Sequence, residues 1–449
     1  MKRLRTAAEK DTRDPRVVLI SQWFTPEPVV VPMNIATALR AAGLSVHVIT
    51  GVPNYPTGVV PPGFSARRYS SERVNGFPVD RCPLYPSHDL SAARRLLNYF
   101  SWAASATLRA LTRVNAGDTL LVYSSPATAA LPAIACRLLK RAPFVVLIQD
   151  LWPDSVLATG FVRNAYARRV AESLISPFTR MTYRLANKVA VISPGMLELL
   201  VSRGVPREKL ALTYNWADES TYFPRTRSSA FRASLGVADE TTLFMYAGNL
   251  GPAQALATVI EAAASASETH DIALVIVGSG VTEVALRELA DRVAPEVVTF
   301  RPPMQPCEVA EAAAAADVQV VSLDKQPVFT YTMPSKVQSV LASGSPVVAS
   351  ADGDIAQVVL ESGAGWVAPA GDVDRLAEAM RSAAEAGPED RARRGACARH
   401  YYESYMSEKV NAGALASLLR SSHPGARGSG QLPPAADTRT VSDSREGTA

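Results

Sequence analysis

The sequence is poor in the residues that staple a fold or load it with metal. Only 4 of its 449 residues are cysteine, at positions 82, 136, 307 and 397. They are too scattered for a Cys-x-x-Cys metal or redox pair and too few to cross-link a chain of this length. They fit a reducing compartment, where free cysteine acts as a small apolar residue and is expected in the core. The 5 histidines show no metal-ligand spacing. One of them, His47, lies in an apolar strand and is expected in the core. No run of 18 uncharged apolar residues occurs, which excludes a hydropathic membrane helix. The start, Met1-Lys2-Arg3-Leu4-Arg5, continues into charged residues and does not read as a signal peptide. The expectation is a chain made and kept in the cytoplasm.

What is present supports folded domains. Hydrophobic residues make up 47% and charged residues 20%, ample for sizeable cores and incompatible with global disorder. At about 150 residues per domain, the length predicts two domains with a tail. The net charge of +4 conceals an asymmetry: residues 1–240 sum to +13 and residues 241–449 to −9. A basic first half suits an anionic partner such as a lipid headgroup or phosphorylated acceptor.

Short apolar runs alternate with helical stretches. Val17–Ile20, Val46–Ile49, Leu120–Tyr123, Phe144–Ile148 and Val189–Ile192 read as parallel strands buried on both faces, with a helix near Met33–Ala42 between the first two. The pattern restarts with strands at Leu243–Tyr246, Ala273–Val277, Val297–Phe300, Val318–Val321 and Pro346–Ala349. Helices over 253–267, 282–292, 306–315 and 335–342 separate them. The fold class is α/β, with two doubly wound, Rossmann-like domains in series. The expected division is a charged lead (1–14), a first domain (15–217), a linker (218–240) and a second domain (241–400). A C-terminal helix (401–421), possible as a crossing back to the first domain, and a disordered tail (422–449) rich in Gly, Pro, Ser and Asp complete it. Ligands of such sheets bind outside the carboxyl ends of the strands, so two facing sheets define a central cleft.

Three segments carry chemistry. Tyr246-Ala247-Gly248-Asn249-Leu250-Gly251-Pro252-Ala253-Gln254 ends a strand in a glycine turn that opens a helix, where backbone N–H groups favour phosphate. Val277-Gly278-Ser279-Gly280 ends the next strand likewise. Tyr331-Thr332-Met333-Pro334-Ser335-Lys336 brings a lysine into a helix start, and Gly344 closes that helix before a buried strand. Each alone is ordinary βα-turn chemistry. Together, in order and spacing, they resemble the second domain of family-4 retaining glycosyltransferases of the GT-B fold. The likeness is to the subgroup building bacterial capsule, colanic acid and O-antigen chains, where Gly-Asn-x-Gly-x-x-Gln and Pro-Ser-Lys are typical. Phe24-Thr25-Pro26-Glu27-Pro28, Pro53-Asn54-Tyr55-Pro56-Thr57-Gly58 and Gln149-Asp150-Leu151-Trp152-Pro153-Asp154 agree in the first domain, and Asn215-Trp216-Ala217-Asp218 resembles the interdomain link.

The resemblance implies transfer of a sugar from a nucleotide-sugar donor, with retention, to a lipid-linked or polysaccharide acceptor. The second domain would bind the donor through Gly248, Asn249, Gln254, Gly278, Ser335, Lys336 and Ser339, with Met304 near the base. Many family members carry an arginine and a lysine where Asn249 and Gln254 stand, so Lys336 is the main diphosphate contact implied, with Lys325 and Arg301 as weaker candidates. Lys336 also reads as an ordinary solvated lysine. The family's two glutamates, eight positions apart, fall on Tyr331 and Ser339, neither acidic. Tyr331 is then a candidate catalytic residue without a carboxylate, and so is Asp150, as acceptor contact or orienting base. Asp150 equally suits capping of the turn before Pro153. Gln149, Trp152 and Asn54 are the acceptor-side candidates. The glycine-rich loop common after the first strand is replaced by Pro28-Val29-Val30-Val31-Pro32.

No metal or other cofactor is expected, and no nucleic-acid partner. Residues 91–113 and 163–188 read as basic amphipathic helices. They suit either peripheral contact with the inner face of the plasma membrane or plain covering of the first sheet. Two other readings stand beside transfer: a glycosyltransferase-like partner that has lost turnover, and a sugar-nucleotide isomerase. A dinucleotide dehydrogenase is disfavoured, because Gly278-Ser279-Gly280-Val281-Thr282-Glu283 lacks the third glycine of that fingerprint.

Overall fold

The computed structural model describes residues 15–87, 91–155, 165–227 and 229–423. The expected lead 1–14, nearly all of the tail and the start of the stretch 163–188 lie outside the described residues. The first sheet has eight strands in the order β3-β4-β2-β1-β5-β6-β7-β8. They are β1 (Arg16–Ile20), β2 (Ser45–Gly51), β3 (Ser70–Val74), β4 (Phe77–Cys82), β5 (Thr119–Ser124), β6 (Phe144–Ile148), β7 (Lys188–Val191) and β8 (Leu210–Leu212). Helices α1 (Val31–Ala41), α2 (Ala92–Arg113), α3 (Ala130–Lys140), α4 (Ala165–Leu185) and α5 (Pro194–Ser202) intervene. The β1, β2, β4, β5 and β6 pairings are parallel, and β3 is antiparallel to β4 on the edge.

The second sheet is parallel throughout, in the order β11-β10-β9-β12-β13-β14. Its strands are β9 (Thr242–Ala247), β10 (Ile272–Val277), β11 (Val298–Arg301), β12 (Val318–Ser322), β13 (Val347–Ser350) and β14 (Gly365–Ala368). Around it run α6 (Ser229–Leu235), α7 (Leu256–Ser267), α8 (Glu283–Val293), α9 (Pro306–Ala315), α10 (Ser335–Ala342), α11 (Asp354–Ser362), α12 (Val373–Glu385) and α13 (Pro388–Tyr401), and α14 (Glu408–Ser422) closes the described chain. Side-chain alternation explains the double burial. Phe244 and Tyr246 of β9 join Ile260, Leu274 and Met380 in one apolar cluster, while Leu243 and Met245 join Val275 and Ala312 in another. Each such side chain contributes about 1.5–3 kcal/mol on full burial.

The chain forms two compact units. One holds residues up to Gln149, Pro177–Ala190 and the chain from Ala412 onward; the other holds Asp150–Ser176 and Val191–Asn411.

Several expectations are corrected. The helix expected over 253–267 starts later: Pro252–Gln254 makes one 3-10 turn, Ala255 takes a left-handed φ of 44°, and α7 begins at Leu256. The C-terminal helix begins at Glu408, behind a wide π turn at Tyr402–Met406. Residues 218–240 are not a bare linker stretch, since α6 lies within them. Its Arg232 is 1% exposed and donates to Asp317 at 2.9 Å and to the Thr241 carbonyl at 2.6 Å. Cys82 and Cys136 are buried as expected, but Cys307 is exposed and Cys397 half-buried. His47 is not plain core: its Nε2 lies 2.9 Å from Asp80, a buried carboxylate that also pairs with Arg109 (2.6 Å) and Arg113 (3.1 Å). Burial alone would raise the Asp80 pKa; hydrogen bonds from His47, Ser71 and Arg109 outweigh it and hold the carboxyl well below the usual range.

Candidate functional site

With its strands numbered from β9, the second sheet has the order 3-2-1-4-5-6, so its topological switch point falls between β9 and β12. The loops leaving those two strands meet there, with the Asp324 N–H donating to the Ala253 carbonyl at 2.9 Å. The glycine turn after β9 is internally braced. The Tyr246 hydroxyl donates to the Asn249 carbonyl at 2.8 Å, and Gln254 Oε1 accepts from the Gly251 N–H at 3.2 Å and Asn249 Nδ2 at 3.4 Å. Gln254 therefore shapes the turn. Gly278, with φ 146°, nests under it: a Cβ there would meet the Gly248 carbonyl oxygen at 1.9 Å. Only glycine permits that approach. Gly248 and Asn249 themselves are exposed.

Lys336 reaches this turn from α10. Its ammonium lies 3.1 Å from the centre of the Tyr246 ring, and a Cβ on Gly248 would sit 3.3 Å from it. Among the described residues no carboxylate pairs with it. Burial pushes its pKa well below the ordinary lysine value, and nothing opposes that shift. Ser335, exposed, opens α10. Ser339 turns its hydroxyl back to the Ser335 carbonyl at 3.2 Å. The structure thus brings Gly248, Asn249, Gln254, Gly278 and Lys336 together. An exposed turn beside a cation lacking a counter-charge is chemically suited to an anion. Two other candidates are engaged elsewhere, since Arg301 donates to the Ser234 carbonyl at 2.6 Å and Met304 packs against the cluster around Met245; Lys325 is exposed.

Tyr331 ends the 3-10 turn Pro327–Tyr331, and its carbonyl accepts from the Ser193 hydroxyl at 2.7 Å. Burial first, then the nearby Asp154 carboxylate, push its phenol up to about 12, with Arg203 opposing. Asp154 in turn takes a forked pair of 2.7 Å bonds from Arg203. All of these residues belong to the second unit. Sequence reasoning passed over Ser193, Gly195 and Asp354, whose signal is Ser-Pro-Gly at one helix start and Gly-Asp at another. Asp150 is exposed just after β6, Gln149 is 9% exposed and Trp152 half-buried.

In the first unit, Asn54 is 4% exposed and hydrogen-bonded through both its amide oxygen and its amide nitrogen. Its Oδ1 accepts from Asn98 at 3.1 Å, its Nδ2 donates to the Val52 carbonyl at 3.0 Å, and Gln22 continues the chain by donating to Asn98 at 2.6 Å. Glu27, which the sequence offers only as part of a motif, accepts from the Asn54 and Tyr55 N–H groups at 2.9 Å each. Burial raises its pKa, with those N–H groups and Arg81 opposing. No group of three or more His, Cys, Asp or Glu among the described residues is arranged to hold a metal ion.

Comparison with known proteins gives two successive matches along the chain. Residues 28–216 match the family model of the glycosyl transferase 4-like domain, and residues 241–386 that of glycosyl transferases group 1. The chain is similar to a protein described as a colanic acid biosynthesis glycosyl transferase, WcaI, of Escherichia coli (strain K12). The two are 28% identical over 70% of this chain and 77% of that relative. It is 24% identical, over the same shares, to a protein described as glycosyltransferase WbjE of Pseudomonas aeruginosa. Among solved structures, Anabaena Alr3699/HepE in complex with UDP-glucose superposes with a TM-score of 0.64 at 16% identity, covering 90% of this chain and 99% of that one. That last likeness speaks for the fold. Two Rossmann-like sheets, a glycine turn at the switch point of the second and two successive domain matches lead to one assignment: the chain belongs to the GT-B glycosyltransferases.

Proposed function

We propose that the protein transfers a sugar, with retention, from a nucleotide-sugar donor to a lipid-linked or polysaccharide acceptor in bacterial surface polysaccharide biosynthesis. The observation that carries this reading is the Lys336 ammonium held without a counter-charge beside the Gly248 turn. A nucleoside diphosphate supplies the missing negative charge, and the exposed Gly248-Asn249 backbone and Ser335 lie alongside to receive it. The similarity to WcaI and WbjE supports a polysaccharide product, and the HepE complex supports a nucleotide-sugar donor.

In this reading the leaving diphosphate oxygen assists acceptor deprotonation on the same face of the sugar. The protein mainly positions the reactants and stabilises charge. Tyr331 faces the donor sugar in place of a glutamate, Ser339 stands at the second glutamate position, and Asp150 orients the acceptor with Gln149 and Trp152. Asn54 contributes by fixing the loop that follows β2. This reading assigns the acceptor to residues 15–217 and the donor to residues 241–400.

Peripheral membrane contact belongs to the same proposal. Trp102, Ala103, Ala106 and Ala110 form the buried face of α2, leaving Leu96, Leu97, Phe100 and Leu108 exposed. Leu174 and Met181 of α4 are exposed as well. Apolar side chains flanked by arginines on a helix without acidic residues suit an anionic leaflet. No helix among the described residues is long and apolar enough to cross a membrane.

A second reading, a partner that binds donor without turnover, is favoured by one observation: Tyr331 and Ser339 leave no carboxylate at the two positions. Incubation with a panel of sugar nucleotides, with and without membrane extract, separates the cases. Nucleoside diphosphate released only with extract supports transfer. Binding without release supports the silent partner, and conversion of the donor without acceptor supports an isomerase.

A further inference from the structure

The carboxylate absent from position 331 has a neighbour that no motif pointed to. Asp354 opens α11 and is 5% exposed. Both of its oxygens accept from the Gly195 N–H, at 2.9 Å each. No cation pairs with it among the described residues, so a buried negative charge rests on the Gly195 backbone N–H. Burial pushes its pKa above the usual carboxylate value, with Ser193 and Gly195 opposing.

The position of Gly195 shows what this charge is fastened to. A Cβ there would stand 2.8 Å from Asp354 Oδ2 and 2.8 Å from the Tyr331 Cβ, so the glycine backbone is wedged between the two. Two residues earlier, the Ser193 hydroxyl donates to the Tyr331 carbonyl at 2.7 Å while accepting from the Met196 N–H at 3.3 Å. The first turn of α5 therefore grips Tyr331 twice, once by hydrogen bond and once by contact. The Asp354 charge holds that turn in place, at the helix end where a negative charge is favoured.

We infer that Asp354 is a positioning residue of the transferase: acting through Gly195 and Ser193, its carboxylate fixes the backbone of Tyr331 where that side chain meets the donor sugar. This rests on the function proposed above. Asp354 does not touch the substrate in this role. It makes a rigid tyrosine out of a loop residue, in a site where the usual carboxylate has been lost.

The test uses the full chain with Asp354→Asn, which keeps size and an acceptor oxygen but removes the charge, and with Ser193→Ala, which removes only the hydroxyl. Calorimetry with UDP, GDP and ADP gives nucleoside diphosphate affinity; diphosphate release from the matching sugar nucleotide with membrane extract gives kcat and KM; a thermal scan gives Tm. The expected result is diphosphate affinity within two-fold of wild type in both variants. Turnover should fall at least ten-fold in Asp354→Asn and three- to ten-fold in Ser193→Ala. Turnover within two-fold of wild type overturns the inference, as does a joint fall of affinity, turnover and Tm, which marks general loosening. If Asp354→Asn does not fold, Ser193→Ala decides alone, and unchanged kcat there overturns it. A wild-type protein that neither binds a nucleoside diphosphate nor releases one brings down the proposed function and this inference together; an active wild type matched by Asp354→Asn brings down only the inference.

Discussion

Replacing Lys336 is the sharpest perturbation of the proposed donor site. A charge-assisted hydrogen bond to phosphate contributes about 1.5–3 kcal/mol, so Lys336→Ala should weaken nucleoside diphosphate binding roughly 10- to 150-fold. The structure adds a signature in pH. In the free protein the Lys336 pKa is lowered by burial alone, with no opposite charge among the described residues to restore it. The unfolded chain keeps an ordinary lysine, near about 10.4. Between those two values the unfolded state holds more protons than the native state, so native stability rises with pH across that window and is lowest below it. A bound diphosphate supplies the missing counter-charge and raises the pKa again. Binding in the same window must then take up a proton, and affinity must fall as pH rises. Isothermal titration calorimetry in two buffers of different ionisation enthalpy counts that proton. Lys336→Arg is the control, since guanidinium stays charged throughout; protons that titrate on the nucleotide itself appear equally in both proteins and cancel. An unchanged dissociation constant in Lys336→Ala, or equal proton uptake by wild type and Lys336→Arg, refutes the reasoning.

Other outcomes follow from single features. Arg232→Ala leaves Asp317, 10% exposed, without its 2.9 Å partner. Breaking a buried pair costs about 3–5 kcal/mol, which a denaturant titration should show as a lower midpoint. Gly278→Ala drives a methyl into the Gly248 carbonyl, 1.9 Å away; overpacking of this kind costs about 1–3 kcal/mol. Calorimetry should find diphosphate binding lost, and retained affinity would show the turn is not the site. Leu97→Asp with Phe100→Asp on the exposed face of α2 should cut co-sedimentation with phosphatidylserine-rich vesicles several-fold while leaving Tm unchanged; equal sedimentation removes that helix from any membrane surface.

The parts of this molecule legible in the sequence are those written in continuous apolar runs. Phe144–Ile148 is buried at every position, and such a strand announces itself. The β3–β4 hairpin was missed because Ser70–Arg73 is exposed and polar, yet Asn75-Gly76, both at positive φ, carries the two-residue turn signal that would have found it. At the glycine turn after β9, glycine spacing points to Gly248 and Gly278. It could not say that Gln254 braces the turn, nor that Lys336 lies on Tyr246, since these contacts join residues far apart in the chain or need the turn's shape. Buried charges were the least visible of all. Asp80, Glu27 and Asp354 look like any surface acid in one dimension, and only their partners reveal them. The sequence of α2 shows that it is amphipathic, but its buried face is the one formed by Trp102 and three alanines, and that choice depends on the sheet beneath.

The solitary ammonium at Lys336 also bears on how long the protein lasts. A chain whose Gly248 turn is vacant carries a charge it would be better without, whereas a nucleoside diphosphate bound there at about 100 times its dissociation constant would add about 2.7 kcal/mol. Under the proposed function, protease resistance and abundance should then track the supply of activated sugar, so that starvation for precursor thins out the protein before any dedicated regulator acts.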